Sequence, residues 1–123
     1  MKKKDKKKLE LISTDEYKRL TPEMKAKICN GAGAAGQWIS SFIPNTMWGL
    51  DCEEVFNIHD FDYYSGTSWA DKDLADSRMF RNLLRVINHR GGLLAFLRRR
   101  RALKYYEAVH VAGDEAFWKG KNG

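Results

Sequence analysis

Apolar residues recur at helical spacing in three successive stretches of this chain. From residue 51 onward Cys52, Val55, Phe56, His59 and Tyr63 follow one another at steps of three and four, which predicts an amphipathic helix closing at Gly66. Asp51 followed by Glu54 resembles a capping box at its start. Ser68 with Asp71 opens a second helix by the same logic, with Leu74, Met79, Phe80, Leu83, Leu84 and Ile87 as its core face and Gly91-Gly92 as its stop. A third helix is expected from Leu93 to Ala112, with Phe96, Leu97, Leu103, Tyr106 and Val109 inward and Gly113 at its end.

Upstream, Thr21 followed by Pro22 and Glu23 places a cap, a first-turn proline and an early acid ahead of a short helix that should end at Asn30-Gly31. Glycines, Pro44 and Asn45 then interrupt any regular period up to Gly49. This segment reads as a long loop stitched to the core by Trp38, Ile39, Phe42, Ile43, Met47 and Trp48. With no strand pattern and no repeat, the expected class is all-α.

A length of 123 residues suits one small domain, and 43% hydrophobic residues suffice for its core. The division expected is a basic N-terminal arm over residues 1–20 and a domain over 21–123. Only Cys29 and Cys52 are present, so at most one internal disulfide is available and a densely bridged secreted scaffold is excluded. A net charge of +6 predicts an anionic partner: a membrane surface, nucleic acid or an acidic protein. The opening MKKKDKKKLELIST is cationic, but Glu10 and Ser13 break the apolar run behind it, so no export signal is visible. The expectation is a protein that is cytoplasmic when made and leaves by lysis or in a virion. No stretch is long and apolar enough to span a bilayer, which leaves peripheral contact.

Candidate chemistry follows from the first two helices. His59 lies on the inward stripe of one, with Tyr63 a turn later, and Asp76 lies on the apolar face of the next, four residues before Phe80. If the pair folds back at Gly66, Thr67 and Ser68, positions equidistant from the turn lie level, which sets His59 beside Asp76. A buried carboxylate beside an imidazole fixes its tautomer and steadies the imidazolium, the arrangement of a general base with its orienter. The bland alternative is a core histidine satisfied by hydrogen bonds. Asp60 projects about 100° around the helix from His59 and must face another neighbour. One candidate is the loop CNGAGAAG, whose glycines would let backbone carbonyls converge on a cation such as calcium, which takes six to eight oxygens.

These residues resemble the phospholipase A2 superfamily, whose signature pairs a glycine-rich calcium loop with a helix bearing HDxxY. The chain carries Asn30-Gly31-Ala32-Gly33 for the loop, His59-Asp60-Phe61-Asp62-Tyr63 for the helix and Ala75-Asp76 on the helix after it. It is similar to the compact phospholipase domains of viral capsids, and to small phage-encoded and bacterial proteins with a PxTxWGL stretch and NIHDxxY, here Pro44 to Leu50 and Asn57 to Tyr63. Coverage runs from about Cys29 to Leu84. Ala32 and Phe56 stand where relatives commonly carry cysteines, and the separation of loop and histidine is longer than in secreted animal enzymes. The resemblance implies a small phospholipase A2-like fold, with His59 as base, Asp76 as orienter and Tyr63 supporting the pair. It also implies calcium held by Asp60 and the backbone carbonyls of Gly31, Gly33 and Cys29, and hydrolysis of the sn-2 ester of glycerophospholipids.

Arg98 to Arg101 form an unbroken cationic run among Leu93, Leu94, Phe96, Leu97, Tyr105 and Tyr106. Such a surface suits an anionic lipid interface, with Phe117 and Trp118 as further anchors. Nucleic-acid phosphates are the lesser alternative, because no base-reading module accompanies the arginines. The competing function is a noncatalytic phage or bacterial structural protein that keeps the scaffold and binds nucleic acid or membrane. A metal-dependent phosphohydrolase of the HD type would need a histidine upstream of His59, and there is none. His89 and His110 read as structural or exposed.

Overall fold

The computed structural model describes residues 9–29, 46–119 and 121. Six helices and one minimal hairpin follow in order: α1 (Asp15–Lys18), α2 (Pro22–Lys27), β1 (Thr46–Met47), β2 (Leu50–Asp51), α3 (Glu53–Ser65), α4 (Trp69–Arg90), α5 (Ala95–Ala112) and α6 (Asp114–Trp118). The all-α expectation holds, since the only β structure among the described residues is the two-residue antiparallel pair β1–β2. That pair is too short to leave an alternating pattern. Its turn, Trp48-Gly49, takes φ of 49° and 80°, both positive as a tight hairpin of this twist demands.

Local chemistry sets the helix ends. The Thr21 hydroxyl accepts the Met24 N–H with Pro22 at the first position, and the Ser68 hydroxyl accepts the Asp71 N–H. The start of α3 departs from the expected capping box: Asp51 accepts the Glu53 N–H at 2.9 Å, while Glu54 turns away to Tyr17 and Lys25.

α4 is the spine, packed against α3 on one side and α5 on the other. Met79, Leu83 and Ile87 of α4 meet Val55 and Phe56 of α3 and Ala102, Tyr105 and Val109 of α5 in the main core. Leu74, expected inward, is half exposed. The buried positions there are instead Lys72, Ala75 and Asp76, because this turn of α4 faces the polar interior described below. Two residues of the expected N-terminal arm touch the body: Asn82, buried in α4, accepts the Ile12 N–H at 2.7 Å and donates to the Ile12 carbonyl at 2.9 Å, and Tyr17 packs with Ile28, Cys29, Ile58 and Phe61.

The largest correction concerns α5. Its inward stripe is Ala95, Arg98, Ala102, Tyr105 and Val109, which leaves Phe96, Leu97 and Leu103 in solvent. Arg98 is the cause: its guanidinium reaches over to the hairpin, donating from Nε to the Met47 carbonyl at 3.0 Å and from Nη2 to the Trp48 carbonyl. Those bonds satisfy a buried charge whose desolvation would otherwise forbid the rotation, and the two alanines let the helix sit close.

Candidate functional site

The α3–α4 hairpin turns at Gly66 with no room to spare. A β-carbon there would lie 2.8 Å from the Phe117 ring and 3.0 Å from the Asp62 carbonyl. Phe117 is buried and stands edge-on to Tyr63 at 5.2 Å, so it braces the site from within and is not the surface anchor expected of it. Trp118 packs against Trp69 and Phe117.

The turn places His59 and Asp76 level, as expected. His59 Nε2 lies 2.9 Å from Asp76 Oδ1, with both side chains fully buried. Tyr63 donates its hydroxyl to the same oxygen at 2.8 Å, and its ring lies 4.2 Å from the imidazole. Burial raises the Tyr63 pKa, and neighbouring Asp76 raises it further, so the phenol stays a donor. For Asp76 burial pushes the other way from its partners. The bonds and charge of His59, with those of Lys72 and Tyr63, outweigh it and hold the carboxyl below its ordinary range. An ionised Asp76 must accept, so Nε2 of His59 carries a hydrogen, and in the neutral imidazole the lone pair then sits on Nδ1. Nδ1 is buried and has no hydrogen-bond partner among the described residues. The arrangement has the form that a general base with its orienter requires: one ring nitrogen engaged by a carboxylate and the other without a partner among the described residues.

Lys72 completes the cluster and was not anticipated. Its Nζ lies 2.7 Å from Asp76 Oδ2, 3.4 Å from the Val109 carbonyl, 3.3 Å from the His110 carbonyl and 3.4 Å from Asp114 Oδ1. The one signal for it was its position four residues before Asp76, since a lysine on a core face is ordinarily exposed. His110 brings Nδ1 to 3.6 Å from Asp76 Oδ2 while its side chain stays about half exposed.

Asp60 faces the opposite neighbourhood, as the helical rotation requires. It is 4% exposed, its Oδ1 has no partner among the described residues, and burial pushes its pKa up to about 8. Its charge is felt by Tyr17 and Cys29, whose pKa values burial raises first and Asp60 raises further, that of Cys29 to about 11. Asp62 is spoken for by Arg78 at 2.8 Å.

Whether calcium suits this place turns on donor chemistry. An unpartnered buried carboxylate is the group a hard cation would satisfy, so Asp60 fits. The Cys29 thiol does not suit a hard cation and donates instead to the Asn57 carbonyl at 3.3 Å. The backbone carbonyl of Cys29 is the donor of the right kind. Gly31 and Gly33, with the rest of the glycine-rich loop, lie outside the described residues. Within those residues no group of three or more His, Cys, Asp or Glu side chains converges on one point. Both cysteines are free and buried.

No protein-family model, no curated protein and no solved structure matches this chain.

Proposed function

We propose that the chain is a calcium-dependent phospholipase A2-like hydrolase that cleaves the sn-2 ester of glycerophospholipids. The observation that carries the reading is the buried His59–Asp76 pair, one residue from a buried carboxylate, with neither Nδ1 of His59 nor Oδ1 of Asp60 partnered among the described residues. His59 takes a proton from water at Nδ1 as the oxygen attacks the ester carbonyl. Asp76 steadies the imidazolium through Nε2–H, and Tyr63 holds the carboxylate in place. On collapse of the tetrahedral species His59 returns the proton to the departing glycerol oxygen, leaving a free fatty acid and a lysophospholipid. Asp60, with the carbonyls of Gly31, Gly33 and Cys29, would hold the calcium, which when bound supplies positive charge to the developing oxyanion and to the substrate phosphate.

The partner surface in this reading is an anionic phospholipid bilayer. Leu93 is 99% exposed and Phe96 59%, with Leu97 beside them and Arg99, Arg100 and Arg101 on the same helix. Arg101 lies 4.8 Å over the ring of Trp48 at the hairpin tip. Exposed apolar side chains flanked by cations suit lipid headgroups over acyl chains, whereas nucleic acid would use only the charges. Arg98 is no part of this surface, being buried against the hairpin. Among the described residues no helix is long and apolar enough to cross a membrane.

Release of fatty acid from phospholipid mixed micelles, with calcium or with chelator, tests the reading. Chelator-sensitive release that falls by about 10²- to 10⁴-fold in His59→Ala is the expected result. No release from the wild-type protein, together with salt-sensitive nucleic-acid binding unaffected by His59→Ala, would overturn it in favour of a noncatalytic scaffold.

A further inference from the structure

The side chain that the proposed mechanism leaves unused is the lysine beneath the catalytic pair. Lys72 is 1% exposed, and a lysine buried to that degree is uncommon unless its charge is matched. Its Nζ has three acceptors within hydrogen-bond reach: Asp76 Oδ2 at 2.7 Å, the His110 carbonyl at 3.3 Å and the Val109 carbonyl at 3.4 Å. Three acceptors call for three N–H donors, which only the ammonium form supplies. The Asp114 carboxylate at 3.4 Å, at the first residue of α6, adds a second anion beside it, and the Tyr63 ring lies 6.0 Å away.

We propose that Lys72 is a positioning residue for the reaction: by holding Asp76 Oδ2 against the end of α5, it turns Oδ1 toward His59 and Tyr63 and fixes the imidazole that acts on water. This inference rests on the hydrolase reading and deepens it. The carboxylate has two oxygens and the two jobs are divided between them. Oδ1 receives both the imidazole N–H and the phenol, while Oδ2 receives the ammonium. Removing the ammonium leaves a fully buried oxygen with only the His110 imidazole, at 3.6 Å, beside it among the described ion-pairing groups. Asp76 is then free to rotate about its terminal bond, and the imidazole loses its fixed partner. Lys72 also ties the pair to the backbone of a third helix. The position of Asp76 is thus set by α5 and α6 as well as by the hairpin that carries it.

The test compares wild type with Lys72→Met, which keeps the apolar stem and removes the charge. The readouts are micelle hydrolysis and the His59 ring Nε2–H resonance in ¹H–¹⁵N spectra recorded at one fixed pH. A fall in kcat of about 10- to 100-fold, with KM within about twofold and with displacement or broadening of the Nε2–H signal, is the expected result. Unchanged kcat, or a fall in kcat with the Nε2–H signal unmoved, would overturn the proposal. If Lys72→Met does not fold, the wild-type protein decides. A slowly exchanging Lys72 ammonium resonance with cross-relaxation to the Tyr63 ring supports it, and its absence overturns it. If the wild-type protein releases no fatty acid the hydrolase reading fails by itself. The response of the imidazole signal to Lys72→Met still tells whether the lysine positions the pair.

Discussion

Asp60 and Asp76 are both removed from water, yet they are opposite in kind. Asp76 has both oxygens engaged, Oδ1 by an imidazole and a phenol and Oδ2 by an ammonium, and its carboxyl is held below the ordinary range. Asp60, on the other side of α3, leaves one oxygen without a partner and is pushed up to about 8. The difference teaches how burial divides two uses of one side chain. A carboxylate whose partners come from the protein itself is a fixed component of the fold. One whose partner does not come from these residues costs stability until something positive arrives.

The strongest way to break the comparison is to remove the satisfied member. Asp76→Ala should destabilise the protein by about 3–5 kcal/mol, because it strands the buried Lys72 charge, and urea unfolding would measure it. The change should also abolish hydrolysis.

The unsatisfied member predicts the opposite sign. Because the folded-state pKa of Asp60 is raised, its ionised form is disfavoured in the fold. Calcium-free stability from this group is full near pH 4 and declines as pH rises toward about 8. Asp60→Asn should therefore stabilise the calcium-free protein at pH 8, by on the order of a few kcal/mol, and hardly at all at pH 4. Thermal melts in chelator across that range would show the gap between the two proteins widening with pH. Calcium should close it for the wild type alone. Asp76 runs the other way: with its pKa lowered, its contribution is present above the unfolded carboxylate range and is lost as pH falls through the folded value. A gap that narrows with rising pH would show that the two carboxylates do not differ as described.

Smaller effects sharpen the picture at its margins. Gly66→Ala forces the Phe117 ring off the turn and should cost about 1–3 kcal/mol, with a comparable cost at every pH, unlike either carboxylate. Lys25→Met removes an exposed ion pair with Glu54 at 3.0 Å and should change stability by about 0–1 kcal/mol. A larger loss there would mean that the α2 side of Asp60 is more tightly organised than its exposure indicates.

The hairpin and its inward pair were legible in the sequence because local rules decide them: a cap at Ser68, a stop at Gly66 and symmetry about the turn. The rotation of α5 was not. Its hydrophobic pattern puts Phe96, Leu97 and Leu103 inward, and what turns the helix are two carbonyls some fifty residues upstream that accept from Arg98. Burial of Lys72 was hidden for a related reason, since two of its acceptors, the Val109 and His110 carbonyls, and its second ion-pair partner, Asp114, lie on later parts of the chain. Asn82 reads as an ordinary polar helix residue until Ile12 is seen paired with it. Asp60 shows that even a correct local placement, facing away from His59, does not disclose whether the partner it meets is complete.

The dependence of the catalytic pair on residues 109–117 has a consequence for how the protein comes into being. Tyr63 leans on Phe117, and Lys72 is held by Val109, His110 and Asp114. A growing chain that has just released the histidine and both aspartates from the ribosome still lacks the braces that align them. The alignment of His59 with Asp76 should therefore arrive late and abruptly in synthesis, after α5 and α6 dock, and under the proposed hydrolase reading an incomplete chain would pose little threat to the membranes of the cell that makes it.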